Sequence, residues 1–89
     1  MAFQISVVTP EKAVLDCEAR SVVFPAHDGL MGILTNRAPL LTQLGAGPLR
    51  IDEAEGNTSH HYDIAGGFAQ MVDNRLTILT ERAELKADA

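Results

Sequence analysis

Three observations predict an all-β fold for this chain of 89 residues. Its seven Gly and four Pro extend from Pro10 to Gly67 and leave little room for a helix. Between these breakers the apolar residues recur mostly at every second position, which is typical of strands buried on one face. Turn-forming residues stand where the alternation stops. Short antiparallel strands of this kind form a sandwich or flattened barrel, because a single open sheet would leave half of the apolar residues in water.

The alternation predicts about nine strands in chain order. In each strand the polar neighbours of the apolar residues are expected to point to solvent. The strands are expected at 3–8, 12–17, 20–25, 30–34, 40–44, 48–54, 59–64, 67–72 and 75–80. The residues expected to share a buried face are Phe3 with Ile5 and Val7, Val22 with Phe24, Leu49 with Ile51, Tyr62 with Ile64, and Leu76 with Ile78.

Turn-forming residues indicate where the turns between these strands lie. The turns are expected at Thr9-Pro10, Asp28-Gly29, 36–39, 45–48, 55–57 and Asp73-Asn74. Gly66-Gly67, at the start of a predicted strand, indicates a bulge or a close backbone approach. Only the last nine residues, 81–89, have helix-tolerant propensity.

Composition excludes several classes of function. A net charge of −5, with seven basic residues scattered along the chain, argues against binding to nucleic acid or to anionic lipid. No apolar stretch is long enough to cross a bilayer, so direct lipid insertion is not expected. The single cysteine cannot form an internal disulfide, and the first residues do not resemble a secretory signal. A chain of this size has one thin core and no room for a deep enzyme cleft.

The few residues that could carry chemistry do not compose an active site. His60 and His61 are neighbours on a strand and point to opposite faces, so they are interpreted as two exposed histidines rather than a metal pair. His27 and Asp28 are interpreted as turn residues. Cys17 lies between two acids, which disfavour a reactive thiolate, and is interpreted as a filler residue. From the residues alone, the chain is an acidic β-domain held by other proteins, and a metal-binding domain using its three histidines stays open as an alternative.

Four ordered segments resemble the epsilon subunit of F-type ATP synthase, called delta in mitochondria. The segments are FQISVVTPEK (3–12), FPAHDGLMGILTNRAPLLT (24–42), LGAGPLRI (44–51) and IAGGFA (64–69). The resemblance implies a flattened β-sandwich of about ten short strands over residues 1–82. It implies a short tail over 83–89, with at most a helical turn, in place of the family's C-terminal helical hairpin.

The resemblance also implies a function. The chain is expected to be a non-catalytic rotor subunit without cofactor or metal, present in one copy and not as a homo-oligomer. It would link the gamma subunit to the membrane c-ring, and through gamma act indirectly on the F1 alpha3-beta3 assembly. The expected location is peripheral, on the cytoplasmic face of the bacterial inner membrane. Without the hairpin, coupling is expected to remain, while inhibition of hydrolysis and ATP sensing are expected to be lost. A small interaction module of another assembly is the alternative.

The expected contact residues follow from the same match. The loops expected to face the c-ring contain Ala26, His27, Asp28, Gly29, Leu30, Met31, Gly32, Asn36, Arg37 and Pro39. Those expected to face gamma are Arg37, Leu40, Leu41 and Thr42. Three positions depart from the family: Leu30 replaces a common Glu, Asn36 a common Gly and Arg37 a common His. Asp28 is the only acid of the first loop and is therefore expected to face basic residues of the c-ring.

Overall fold

A computed structural model describes residues 2–34 and 39–86 of the chain. These residues form seven β-strands. These residues contain no helix, and so none that could cross a membrane. The all-β class predicted from the sequence is confirmed. The strands are β1 (Phe3–Val8), β2 (Ala13–Ala26), β3 (Gly29–Leu34), β4 (Leu40–Glu53), β5 (Ser59–Val72), β6 (Arg75–Leu79) and β7 (Ala83–Leu85).

Five of the strands close into a barrel. They follow the order β1-β6-β5-β4-β2, and β1 also pairs with β2, which completes the ring. All neighbours are antiparallel except β1 and β6, which run parallel. β3 extends the sheet beyond β2 as a hairpin, and β7 pairs with one half of β5. Closure removes most free sheet edges. Most backbone N–H and C=O groups of the strands can therefore form hydrogen bonds with a neighbouring strand.

The predicted number of strands was wrong, because three long strands were each divided in two and the short strand β7 was not predicted. β2, β4 and β5 have 14 residues each and continue through the positions where the sequence predicted breaks. In particular, residues 45–48 do not form a turn but lie inside β4. Leu44 pairs with Gly67 and Gly47 with Ile64, so the glycines of β4 lie beside those of β5. Glycine at both strands allows them to bend together at a corner of the barrel without ending.

Gly67 is the tightest point of this corner. Its φ of +113° is rare for residues with a side chain, and a Cβ there would lie 1.9 Å from the backbone oxygen of Leu79. The close backbone approach predicted for Gly66-Gly67 is therefore confirmed, although the pair lies in the middle of β5 rather than at a strand start.

The core lies inside the barrel, on the faces that the alternation predicted. All the apolar residues expected to share a buried face are at most 7% exposed. Leu44, Ala69 and Met71 join them, together with Ala19, Ala26 and Ile33. Asp73 and Asn74 form the predicted turn between β5 and β6, and both have the positive φ that tight two-residue hairpins require.

The residues after β6 form a strand where propensity suggested a helical turn. Ala83, Glu84 and Leu85 pair with Ile64, Asp63 and Tyr62 of β5. Ala83 also packs against the core. Backbone pairing with β5 and this apolar contact override the weak helical preference of the segment.

Candidate interaction surfaces

The first candidate surface is the tip of the β2–β3 hairpin, residues 26–32. Ala26 pairs with Gly29, so His27 and Asp28 form a two-residue turn, as predicted. Gly29 has a φ of +136°, which explains why a glycine follows Asp28. Both turn residues are exposed, and the carboxylate of Asp28 therefore stands in solvent.

The tip is held in place by the barrel. The backbone N–H of His27 donates to the carbonyl of Gln43 in β4, at 3.1 Å. Ala26 is buried and pairs with Leu44, and a Cβ on Gly45 would lie 3.3 Å from the Ala26 carbonyl oxygen. Because the hairpin leans on β4, Asp28 is presented from a supported position rather than from a free loop.

Beyond the turn, the tip offers a mixed surface. Leu30 is 66% exposed, whereas Met31 is half-buried and packs against the core. Gly32 is exposed, its φ lies outside the left-handed region, and a Cβ there would meet no atom within 4 Å. The fold therefore does not need a glycine at position 32, although it does at position 29.

Asn36 and Arg37, which the sequence placed in the neighbouring loop, lie outside the described residues. Pro39 is exposed next to β4. The three residues expected to face gamma differ from one another. Leu41 is 69% exposed, Leu40 packs against the core, and Thr42 is half-buried opposite Ala69. Of these three, Leu41 presents the largest apolar side chain to solvent.

Leu41 belongs to a larger apolar face that the sequence analysis missed. Phe68 pairs with Leu79 and lies diagonally across from Leu41, since Phe68 pairs with Gln43. Val72 lies further along the same side of β5, where exposed and buried residues alternate. We call this set the apolar face: Leu41, Phe68, Val72 and Leu79, which are 69, 52, 40 and 48% exposed.

The period-two pattern of residues 68–72 in β5 could have predicted this face. Phe68, Gln70 and Val72 must point away from the buried Ala69 and Met71. Two of these three outward residues are apolar. A group of neighbouring exposed apolar side chains on a small protein marks a contact surface.

The histidines of the metal-binding alternative are not brought together. His27 lies at the hairpin tip, whereas His60 and His61 lie on β5. The sequence predicted that His60 and His61 are exposed, which is wrong, since both are half-buried. The Nε2 of His60 lies 2.5 Å from Glu53 Oε2, and the His60 side chain is 24% exposed. Its ring lies close to Glu53 and Cys17 instead.

The fold and the two surfaces define a class of protein: a small closed β-barrel domain with two candidate contact surfaces. Comparison with known proteins gives the family. The family model for the ATP synthase Delta/Epsilon chain, beta-sandwich domain, matches residues 2–86, and the chain belongs to this family.

Relatives and solved structures agree with this assignment. The chain is 40% identical over 84 residues to the ATP synthase epsilon chain of Nostoc punctiforme, covering 94% of this chain and 61% of the relative. It is 42% identical over 83 residues to that of Rhodopirellula baltica, covering 93% and 63%. It superposes with a TM-score of 0.86 and 26% identity on a chain of the Euglena gracilis mitochondrial ATP synthase, covering 94% and 53%. The chain thus spans about three-fifths of the length of the curated relatives it matches.

Proposed function

We propose that this chain is a non-catalytic rotor subunit of an F-type ATP synthase that links the gamma subunit to the c-ring. In this role it couples ion flow through the ring to ATP synthesis in the F1 alpha3-beta3 assembly. It works as one copy, without a cofactor, at a membrane-associated complex on the cytoplasmic side of the bacterial inner membrane. Relatives named ATP synthase epsilon chain support this proposal, as does a structural neighbour from an ATP synthase structure that contains F1 and the c-ring.

The observation that carries the proposal is the presence of two different surfaces side by side on one rigid barrel. The hairpin tip is mixed and presents the carboxylate of Asp28 beside the exposed Leu30, whereas the apolar face is built from side chains of β4, β5 and β6. The two adjoin at β4, because the tip bonds to Gln43, two residues from Leu41. A domain that joins two partners needs two such surfaces held at a fixed distance.

The two surfaces suit different partners. We assign the apolar face, with Leu40 and Thr42 at its border, to gamma, because a permanent contact favours apolar burial. We assign the tip, Pro39, Asn36 and Arg37 to the c-ring. There Asp28 meets basic side chains of the ring's polar loops, an exposed charge contact that sets orientation more than affinity.

Binding to gamma is the direct test of the first assignment. The tagged chain is co-expressed with the gamma subunit of the same organism, and the gamma retained per tagged chain is measured. The wild type is expected to retain gamma, and Phe68→Asp is expected to reduce retention about tenfold or more, because a charge is buried at the centre of the contact.

Leu85→Asp is the matched control. Leu85 is 72% exposed on β7, outside the apolar face, so its replacement should leave gamma binding unchanged. Equal retention by the wild type and Phe68→Asp would refute the assignment of this face. A wild-type chain that does not retain gamma, or that forms a stable homodimer through the apolar face, would refute the proposed function.

A further inference from the structure

Three side chains with different metal-ligating atoms meet at one end of the barrel. They are Cys17 of β2, Glu53 of β4 and His60 of β5. The Cys17 thiol, a Glu53 carboxylate oxygen and a ring nitrogen of His60 all lie within 4.8 Å of one another. All three residues are half-buried.

The strand register explains why they meet. Glu53 pairs with Ala19 of β2, and Cys17 lies two residues away on the same face. On the other side His60 pairs with Ile51, and Glu53 lies two residues beyond Ile51. Each contact is thus a diagonal pair across adjacent strands, within reach of these side chains. Ala19 and Ile51 are 0% exposed, so the three residues continue the inner face of the barrel.

Polar side chains are unusual on the inner face of the barrel, because the other residues of this face form the apolar core. Each side chain continues a buried row of its strand, and Tyr62, two residues beyond His60, is 7% exposed. Burial raises the pKa of the Tyr62 hydroxyl, with a smaller contribution from Cys17. Burial also raises the pKa of the Cys17 thiol, and Glu53 and Asp16 raise it further.

The surroundings favour a cation. A cavity that shares Glu53 with the cluster is lined by Glu18, Glu53 and Glu55, together with Ala2 and Ala54. Carboxylates gathered around a cavity give it a negative potential that attracts cations. Arg20 donates to the carbonyl oxygens of Glu53 and Gly56 at 3.1 and 3.0 Å, which fixes the backbone beside Glu53.

The donor set selects the metal. One thiolate sulfur, one imidazole nitrogen and one carboxylate oxygen are the ligands that Zn²⁺ uses, with bonds of about 2.0 to 2.3 Å. In a tetrahedral site of that size the ligand atoms lie about 3.3 to 3.8 Å apart. The ligand atoms already lie within 4.8 Å of one another, and to reach this spacing the 2.5 Å contact between His60 and Glu53 must open. A water molecule would complete the coordination.

We propose that Cys17, Glu53 and His60 form a zinc-binding site that ties β2, β4 and β5 together. Binding releases the thiol proton, and the metal takes the place of the hydrogen bond between His60 and Glu53. The site lies near the start of β2, whereas the hairpin tip follows its end, so metal binding leaves the proposed contact with the c-ring free. The ion stabilises the barrel because it binds the folded arrangement of three strands.

Metal titration of the 89-residue chain tests the proposal. The reduced, metal-free protein is titrated with Co²⁺, and the thiolate-to-cobalt charge-transfer band is followed. Zn²⁺ is then added in competition, and the thermal unfolding midpoint is measured with and without Zn²⁺. We expect one Co²⁺ per chain with a charge-transfer band, displacement by Zn²⁺, and a higher unfolding midpoint with the metal.

Variants assign the ligands. Cys17→Ala should abolish the charge-transfer band, and His60→Ala should weaken binding about tenfold or more. His61→Ala is the matched control, since its side chain leaves the strand on the opposite face, and it should bind like the wild type. Far-ultraviolet circular dichroism checks that each variant is folded.

Two results would overturn the proposal. One is a folded wild-type chain that takes up no stoichiometric Co²⁺ or Zn²⁺, in which case the cluster is only an ion pair beside a core cysteine. The other is binding that survives in folded Cys17→Ala and His60→Ala, or that is lost in His61→Ala.

Discussion

Asp52 shows how one side chain can join three strands on the outside of the barrel. It accepts hydrogen bonds from Ser59 of β5 at 2.5 Å, from Ser21 of β2 at 2.8 Å and from Arg50 of its own strand at 3.1 Å. The bond from Ser59 is the largest cause that lowers the pKa of Asp52 from 3.8 to about 2; burial opposes it, and Ser21 and Arg50 add to it. These bonds stabilise the ionised carboxylate of the folded chain.

The lowered pKa predicts a pH dependence of stability. Because the folded pKa lies below the unfolded one, the contribution of Asp52 is complete above about pH 4 and is lost as the pH falls through about 2. Asp52→Asn should therefore lower the free energy of unfolding by about 2 kcal/mol at pH 7, and by much less near pH 2. Urea unfolding of both proteins between pH 7 and pH 2 measures this difference.

Asp63→Asn is the control for this prediction. Its carboxylate is half-exposed and 3.7 Å from the Lys86 ammonium, a surface pair that contributes less than about 1 kcal/mol. A loss in Asp52→Asn that stays constant over the whole pH range would contradict the role of the charge.

The two glycines at the barrel corner, Gly66 and Gly67, allow a second prediction about single residues. Gly67→Ala should destabilise the fold by about 3 kcal/mol or more, because its Cβ overlaps the Leu79 backbone oxygen in addition to the strain of a positive φ. Gly66→Ala is the matched comparison. Gly66 has a φ of +72° but open space around it, so the cost should be about 1 to 2 kcal/mol. Equal losses in the two variants, measured by urea unfolding, would refute the close approach at Gly67.

At the scale of elements, the hairpin tip carries the proposed contact with the c-ring. Asp28→Lys should lower the affinity for isolated c-ring about tenfold, because an exposed attraction becomes a repulsion, and it should change the salt dependence of binding. Binding to c-ring in detergent is measured at low and high salt. Glu55→Lys makes the same charge change in an exposed turn at the other end of β4 and should have little effect. Unchanged binding and salt dependence in Asp28→Lys would contradict the role of Asp28.

A substitution of Gly32 can distinguish an effect on the stability of the hairpin tip from an effect on its binding to the c-ring. A side chain at this position meets no atom of the domain, so Gly32→Leu should leave the unfolding midpoint within a few degrees of the wild type. If the c-ring packs closely on the tip, the same variant should bind the ring about tenfold more weakly. Wild-type affinity in this variant would show that the ring does not approach Gly32.

The strands also show what the sequence could and could not predict. Every residue that the period-two patterns named as buried is buried, since the alternation depends only on which face of a strand is turned away from water. The patterns did not name the other core residues of the long strands, which are Ala19, Ala26, Leu44, Ala69 and Met71. They did not reveal that β4 and β5 continue through their glycines, because a glycine can end a strand or bend it, and only the neighbouring strand decides which. The helical preference of residues 81–86 was likewise overridden by pairing with β5.

Clusters formed across strands were the least predictable part of the candidate sites. Turn chemistry located His27 and Asp28, because a turn is determined by adjacent residues. The apolar face and the group of Cys17, Glu53 and His60 depend on the register of three strands each. No spacing along the chain encodes that register, so His60 was interpreted as exposed although it lies beside Glu53.

At the scale of the whole molecule, the described residues form a closed barrel that carries both the hairpin tip and the apolar face. Closure through β1 makes the barrel rigid and holds the hairpin tip at a fixed position relative to the apolar face, as the proposed transmission of torque requires. This rigidity is the physical basis for the proposed role as a link between gamma and the c-ring.

A reconstitution experiment measures directly whether the chain bridges gamma and the c-ring. The c-ring and the alpha-beta-gamma part of F1 from the same organism are mixed in detergent, with the wild-type chain, with none, or with the combined Phe68→Asp and Asp28→Lys variant. Sedimentation then measures the fraction of c-ring that travels with gamma. We expect a stable complex with the wild-type chain and a reduction of about tenfold or more without it or with the variant. An equal fraction of c-ring with gamma in all three mixtures would contradict the proposed link between gamma and the c-ring.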